Sequence, residues 1–124
     1  MRRIQYLLDE HVDKRLRKIL LRLSPALVVR CVGDPDAPPL STADPDILGW
    51  CERHSFLLVT NNRRSMPRHL AAHLAVDRHK PGILVLNVHD SLSATANELI
   101  LIWETCTADE FQDRIWFLPV SGWW

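Results

Sequence analysis

Ile4-Gln5-Tyr6-Leu7-Leu8-Asp9-Glu10 is the stretch from which the rest of the chain is read. A largely apolar run from Ile4 to Leu8 that stops abruptly at two acids suits a strand buried on both faces of a parallel sheet, where strict alternation of polar and apolar side chains is not expected. Beyond it, Val12, Leu16, Ile19, Leu20 and Leu23 recur at helical spacing, with Lys14, Arg15, Arg17, Lys18 and Arg22 largely on the other side. The spacing predicts an amphipathic helix over 12–23, ended by Ser24-Pro25. Ala26 to Val32, rich in branched apolar residues, predicts a second strand, and a Gly/Pro/Asp-rich loop follows from Gly33 to about Ala43. A loop this long in a small domain usually carries function or partner contacts.

Asp44-Pro45-Asp46 opens the next helix: Asp44 is placed to cap free amides, Pro45 suits the first helical position, and Asp46 favours the positive end of the helix dipole. This helix is expected to reach about His54. Phe56-Leu57-Leu58-Val59-Thr60 predicts a third buried strand, with Asn61-Asn62 in the turn-forming position at its end. A basic stretch from Arg63 then continues as a helix through His69, Leu70, His73, Leu74 and Val76, and His79-Lys80-Pro81-Gly82 ends it. Ile83 to Val88 predicts a fourth strand, Ser91 or Ser93 caps a helix carrying Ala96, Leu99, Ile100 and Trp103, and Ile115 to Leu118 predicts a last short strand. Strands alternating with helices imply an α/β fold, a three-layer α/β/α sandwich around a mostly parallel sheet of roughly four or five strands. No internal repeat or linker divides the chain, so a single domain over 1–124 is expected.

Composition agrees and narrows the function. The chain has 124 residues, 47% of them hydrophobic, which suffices for one real core. Fifteen basic and fifteen acidic side chains cancel, so any binding of nucleic acid has to come from a local patch and not from a global field. Cys31, Cys51 and Cys106 show no C-x-x-C spacing and leave an odd count, which argues against a disulfide framework or zinc site and for reduced thiols. The start of the chain is too short in apolar residues and too acidic for a signal peptide, and no apolar run reaches membrane-spanning length; a cytoplasmic protein without membrane contact is expected.

In open α/β sheets, ligands bind beyond the carboxyl ends of the strands, where loops converge and helix N-termini point their amides outward. That rule selects Asp9 and Glu10, Asn61 and Asn62, Asn87, His89 and Asp90, and Asp44 and Asp46 at a helix start. Carboxylates held together repel unless a hard cation such as magnesium or manganese neutralises them, so a divalent-metal phosphodiester site is the natural inference.

Leu7-Leu8-Asp9-Glu10-His11, the Asp-x-x-Ile-Leu segment at Asp44 to Leu48, Val59-Thr60-Asn61-Asn62-Arg63 and Pro81-Gly82-Ile83, taken in order, resemble the PIN-like proteins associated with toxin–antitoxin operons, which are similar to VapC-type ribonuclease toxins. The resemblance covers about residues 4 to 88. It implies a parallel sheet flanked by helices and an acidic cluster holding Mg2+ or Mn2+, which activates water to cut RNA, with a small antitoxin protein as partner. Carried over residue by residue, it makes Asp9, Asp46 and Asn62 the catalytic candidates and adds Asp44 as a fourth metal ligand; Thr60, Arg63, Arg64 and Arg68 are the candidate RNA contacts. The chain departs from the pattern at Asn62, where an aspartate is expected, and at Arg64, where an acid is common. Two-metal catalysis needs anionic ligands that fix both ions about 3.5–4 Å apart. One weakly held ion fits the remaining carboxylates better.

Each candidate also has a plainer explanation. Asp9 can cap the helix that starts near Val12, Glu10 can be an exposed carboxylate, Asp44 can be a cap and Asp46 can serve the helix dipole. Asn61-Asn62 can be a turn, and Arg63, Arg64 and Arg68 with His69 and His73 can be a solvated basic face. Trp103 and Trp116 suit the core, whereas Trp123-Trp124 at the terminus suits docking on a second copy, a partner or its own domain. A non-catalytic protein of the same fold that binds RNA or a partner is the second functional expectation. A receiver domain is disfavoured by Asn61-Asn62 after the third strand and by the lack of a lysine after Lys80. A dehalogenase-type phosphatase is disfavoured because the Asp-x-Asp pairs follow loops, and a Rossmann site by only four glycines with no Gly-rich turn.

Overall fold

A computed structural model describes residues 3–61 and 82–118. Along the chain run β1 (Gln5–Leu8), α1 (Arg15–Leu23), β2 (Val28–Cys31), α2 (Asp44–His54), β3 (Leu57–Thr60), β4 (Ile83–Val85), α3 (Leu92–Thr105), a 3-10 turn (Ala108–Phe111) and β5 (Ile115–Phe117). The strands form one five-stranded sheet in the order β2-β1-β3-β4-β5, and every neighbouring pair is parallel. The expected sandwich is present. The helix expected through His69 to Val76, the residues Asn62, Arg63, Arg64 and Arg68, and Trp123-Trp124 lie outside the described residues.

Pleating sorts the strand side chains into two cores. Tyr6 and Leu8 of β1 and Leu57 and Val59 of β3 join Leu16 and Leu20 of α1 and Ala96, Leu99 and Ile102 of α3 on one face. Leu7 and Leu58, with Ile83 and Val85, join Ile47, Leu48 and Cys51 of α2 on the other. Each fully buried leucine or isoleucine contributes about 1.5–3 kcal/mol of transfer free energy, so both layers hold the sheet. Tyr6 also needs a polar partner, and its hydroxyl donates to the Leu99 carbonyl of α3 at 2.7 Å. Burial pushes the phenol far above its ordinary range, which keeps it a neutral donor. Cys31, Cys51 and Cys106 are free thiols, the first two buried.

Several boundaries differ from the expectation. The first helix begins at Arg15 and not at Val12, because the Asp9 carbonyl accepts the Val12 N–H at 3.0 Å and turns the chain before the helix starts. The cap of α2 is Ala43 rather than Asp44: its carbonyl receives the N–H groups of Asp46 and Ile47, and no side chain caps it. The cap of α3 is Ser91, whose hydroxyl accepts the Ala94 N–H at 3.0 Å. The fourth strand stops at Val85 and the last at Phe117. Trp103 and Trp116 are half-buried against the first core; the Arg3 guanidinium lies 4.3 Å from the Trp103 ring centroid, and Trp116 meets Phe111 edge-on.

Candidate functional site

The strand order fixes where the chain leaves room. From β1 the chain goes to β2 on one side, and from β3 it goes to β4 on the other, so the carboxyl ends of β1 and β3 are the point at which the connections diverge. Such a switch point is where open α/β sheets bind ligands. A cavity of about 360 Å³ opens there, lined by Asp9, Glu10 and His11 after β1, Ser41 and Thr42 of the β2–α2 loop, Asp44 at the start of α2, and Asn61 after β3.

Asp9 is the deepest charged group in it, only 8% exposed. Its N–H still bonds the Val59 carbonyl at 2.9 Å, so the β1–β3 ladder extends one residue past the strand and carries its side chain to the α2 side, together with Thr60. A buried carboxylate is costly unless satisfied. Here one oxygen accepts the Thr60 hydroxyl at 2.8 Å and the other the Glu10 N–H at 2.8 Å. A carboxylate has about four lone-pair sites, so both oxygens keep acceptor capacity toward the cavity.

The other walls are tied by hydrogen bonds of long sequence range. The Glu10 carboxylate accepts the Ser41 N–H at 2.6 Å, and the Asn61 side-chain amide donates to the His11 carbonyl at 3.2 Å. Ser41 has φ +65°, a left-handed conformation uncommon for serine. Asp34 holds the near end of the same loop, accepting the Cys31 N–H at 2.9 Å and pairing with Arg17 at 2.6 Å.

The site therefore assembles Asp9 with Asp44 and not with Asp46, which is exposed and is not part of the cavity wall. Helical spacing explains the choice. Asp44 sits three and four residues before the buried Ile47 and Leu48, on the stripe that faces the sheet, whereas Asp46 is rotated away from it. Thr60 is fully buried and its hydroxyl is directed at Asp9, so it supports that carboxylate from beneath and offers no surface for direct RNA contact. Asn87 accepts the His89 N–H at 3.0 Å in the turn into α3, and neither these two nor Asp90 lines the cavity. His11 is marked in the sequence only by its place directly after the acidic pair, and Ser41 and Thr42 only by the length of the 33–43 loop.

Among the described residues, no three His, Cys, Asp or Glu side chains form a group that could hold a metal ion. The donors that line the cavity are mainly oxygens, the ligand type that hard cations prefer. No helix among the described residues is long and apolar enough to cross a membrane. The chain matches no protein-family model, no curated protein and no solved structure.

Proposed function

We propose that the chain is a PIN-like ribonuclease dependent on a single Mg2+ or Mn2+ ion, hydrolysing RNA phosphodiester bonds in the cytoplasm as a toxin restrained by a small antitoxin protein. The observation that carries this reading is Asp9: a buried, doubly hydrogen-bonded carboxylate at the switch point, opening on a cavity it shares with Asp44. Maintaining a buried charge costs several kcal/mol, and fixing it in one rotamer is how a site prepares to receive a cation. Asp9 and Asp44 would hold the ion, which when bound supplies Lewis-acid polarisation of the phosphate and a lowered pKa for water.

The chain's own residues supply orientation. Thr60 and the Glu10 N–H keep Asp9 from rotating. The N-terminus of α2, whose Asp44 lines the cavity, turns the positive end of its dipole toward an incoming phosphate. Arg63, Arg64 and Arg68 are the proposed phosphate contacts. Purified protein with manganese should cleave RNA, and Asp9→Asn, which keeps the shape but removes the charge, should lose at least about a hundredfold, the scale of one misplaced catalytic group. Cleavage independent of metal, or unaffected in Asp9→Asn, would reject the reading.

A second reading, a protein of this fold that binds RNA without cutting it, is favoured by the exposure of Asp46, which leaves the cavity with fewer carboxylates. RNA binding with no cleavage in manganese or magnesium would select it.

A further inference from the structure

We propose that Glu10 is a positioning residue: its carboxylate straps the 33–43 loop through the Ser41 N–H and thereby holds Asp44 on the wall of the cavity that Asp9 also lines. The significance given to Asp44 rests on the cation site proposed above; the strap itself rests on the geometry alone. Glu10 lines the cavity and looks in sequence like a companion ligand to Asp9, yet its oxygen is engaged 31 residues along the chain, at 2.6 Å from the Ser41 nitrogen. Asp44 follows Ser41 by three positions, a span of at most about 10 Å of extended chain, so fixing one restricts the other. Between them, the Thr42 hydroxyl and N–H both reach back to the Pro39 carbonyl, and the Ala43 carbonyl begins α2. The other end of the loop has its own anchor in Asp34, and the Gly33 N–H bonds the Pro38 carbonyl at 2.8 Å. Glu10 is thus the side-chain tie at the end that delivers α2. The left-handed Ser41 fits this role, because a disfavoured backbone conformation persists where surrounding contacts hold it.

A strap and a ligand make opposite demands on Glu10→Gln. The glutamine oxygen still accepts the Ser41 N–H but brings no charge, while Glu10→Ala removes both. Amide hydrogen exchange of Ser41 and its neighbours, measured on the full chain without added metal, reads the strap directly. Glu10→Ala should speed exchange at Ser41 by about tenfold and Glu10→Gln by no more than about threefold, the difference between losing a charge-assisted bond and keeping a neutral one. Calorimetric titration with manganese alone reads the consequence: Glu10→Gln should retain most of the affinity that Glu10→Ala loses. Unchanged exchange in Glu10→Ala overturns the strap, and manganese affinity lost equally in both variants makes Glu10 a ligand and overturns the positioning role. A wild-type chain that binds no manganese defeats the cation reading instead, and the exchange comparison then decides the strap by itself.

Discussion

Two of the acidic pairs in the chain, Asp9-Glu10 and Asp44-x-Asp46, look alike in sequence and are treated differently by the fold. In the first, adjacent residues on an extending strand point apart: Asp9 goes under the α2 side of the sheet and Glu10 out to the β2–α2 loop. In the second, two residues of a helical turn point apart, Asp44 to the cavity and Asp46 to solvent. Both acids of the first pair therefore line the cavity, Glu10 while tied to the loop, whereas the second pair gives it Asp44 alone. Proximity in sequence is a poor guide to which acids share a site; strand and helix periodicity are better.

The contrast between Asp9 and Asp46 should be large in stability. Asp9→Ala removes the acceptor of both the Thr60 hydroxyl and the Glu10 N–H, two hydrogen bonds to a charged group worth about 1.5–3 kcal/mol each. Asp46→Ala loses only a favourable term at the helix N-terminus, about 0.3–1 kcal/mol. Urea unfolding of the two variants should separate them clearly, and equal losses would mean that Asp9 is not held as described. A smaller effect isolates the support. Thr60→Val keeps the shape and removes the hydroxyl that donates to Asp9, so it should cost about 1.5–3 kcal/mol, the range for a hydrogen bond to a charged group. A Thr60→Val chain as stable as wild type would show that solvent satisfies Asp9 equally well.

The layers of the fold were legible because buried parallel strands announce themselves as apolar runs: Tyr6-Leu7-Leu8 and Leu57-Leu58-Val59 need no knowledge of their partners. The start of α2 was legible from Pro45 and its flanking acids. The carboxyl-end rule also led to Asp9. What the sequence did not disclose is everything that depends on a meeting across the chain. Thr60 and Asp9 are 51 residues apart, and Glu10 and Ser41 are 31 apart. Nothing local in Ser41 signals a left-handed turn, a position where glycine or asparagine is the usual choice. Asp44 over Asp46 is within reach of the sequence, since the spacing to Ile47 and Leu48 marks the helix stripe, whereas the family resemblance points to Asp46.

Asp13 extends the comparison to an acid with no part in the cavity, and its effect should be the smallest. It sits ahead of α1, exposed, where the Arg15 side chain donates to both its oxygens and the Arg15 backbone N–H to one of them. The Arg15 side-chain bonds, then the backbone bond, hold its pKa down at about 2 against an ordinary 3.8. Because the folded value is depressed, the contribution to stability is complete above the unfolded pKa and is lost as pH falls through the folded one. Asp13→Asn keeps an acceptor for the backbone N–H and removes the charge, so it should lower stability slightly near neutral pH and leave it unchanged below the folded pKa, flattening this part of the acid limb. Arg15 holds Asp13 in water, where salt screens the attraction; in about 1 M salt, with a Debye length of about 3 Å, the difference between wild type and Asp13→Asn should nearly vanish. The buried Asp9–Thr60 contact is shielded from that screening, and the cost of Thr60→Val should survive the same salt. Urea midpoints of both variants at low and high salt make the test, and a Thr60→Val effect that disappears with the Asp13→Asn effect would place Asp9 at the surface with Asp13.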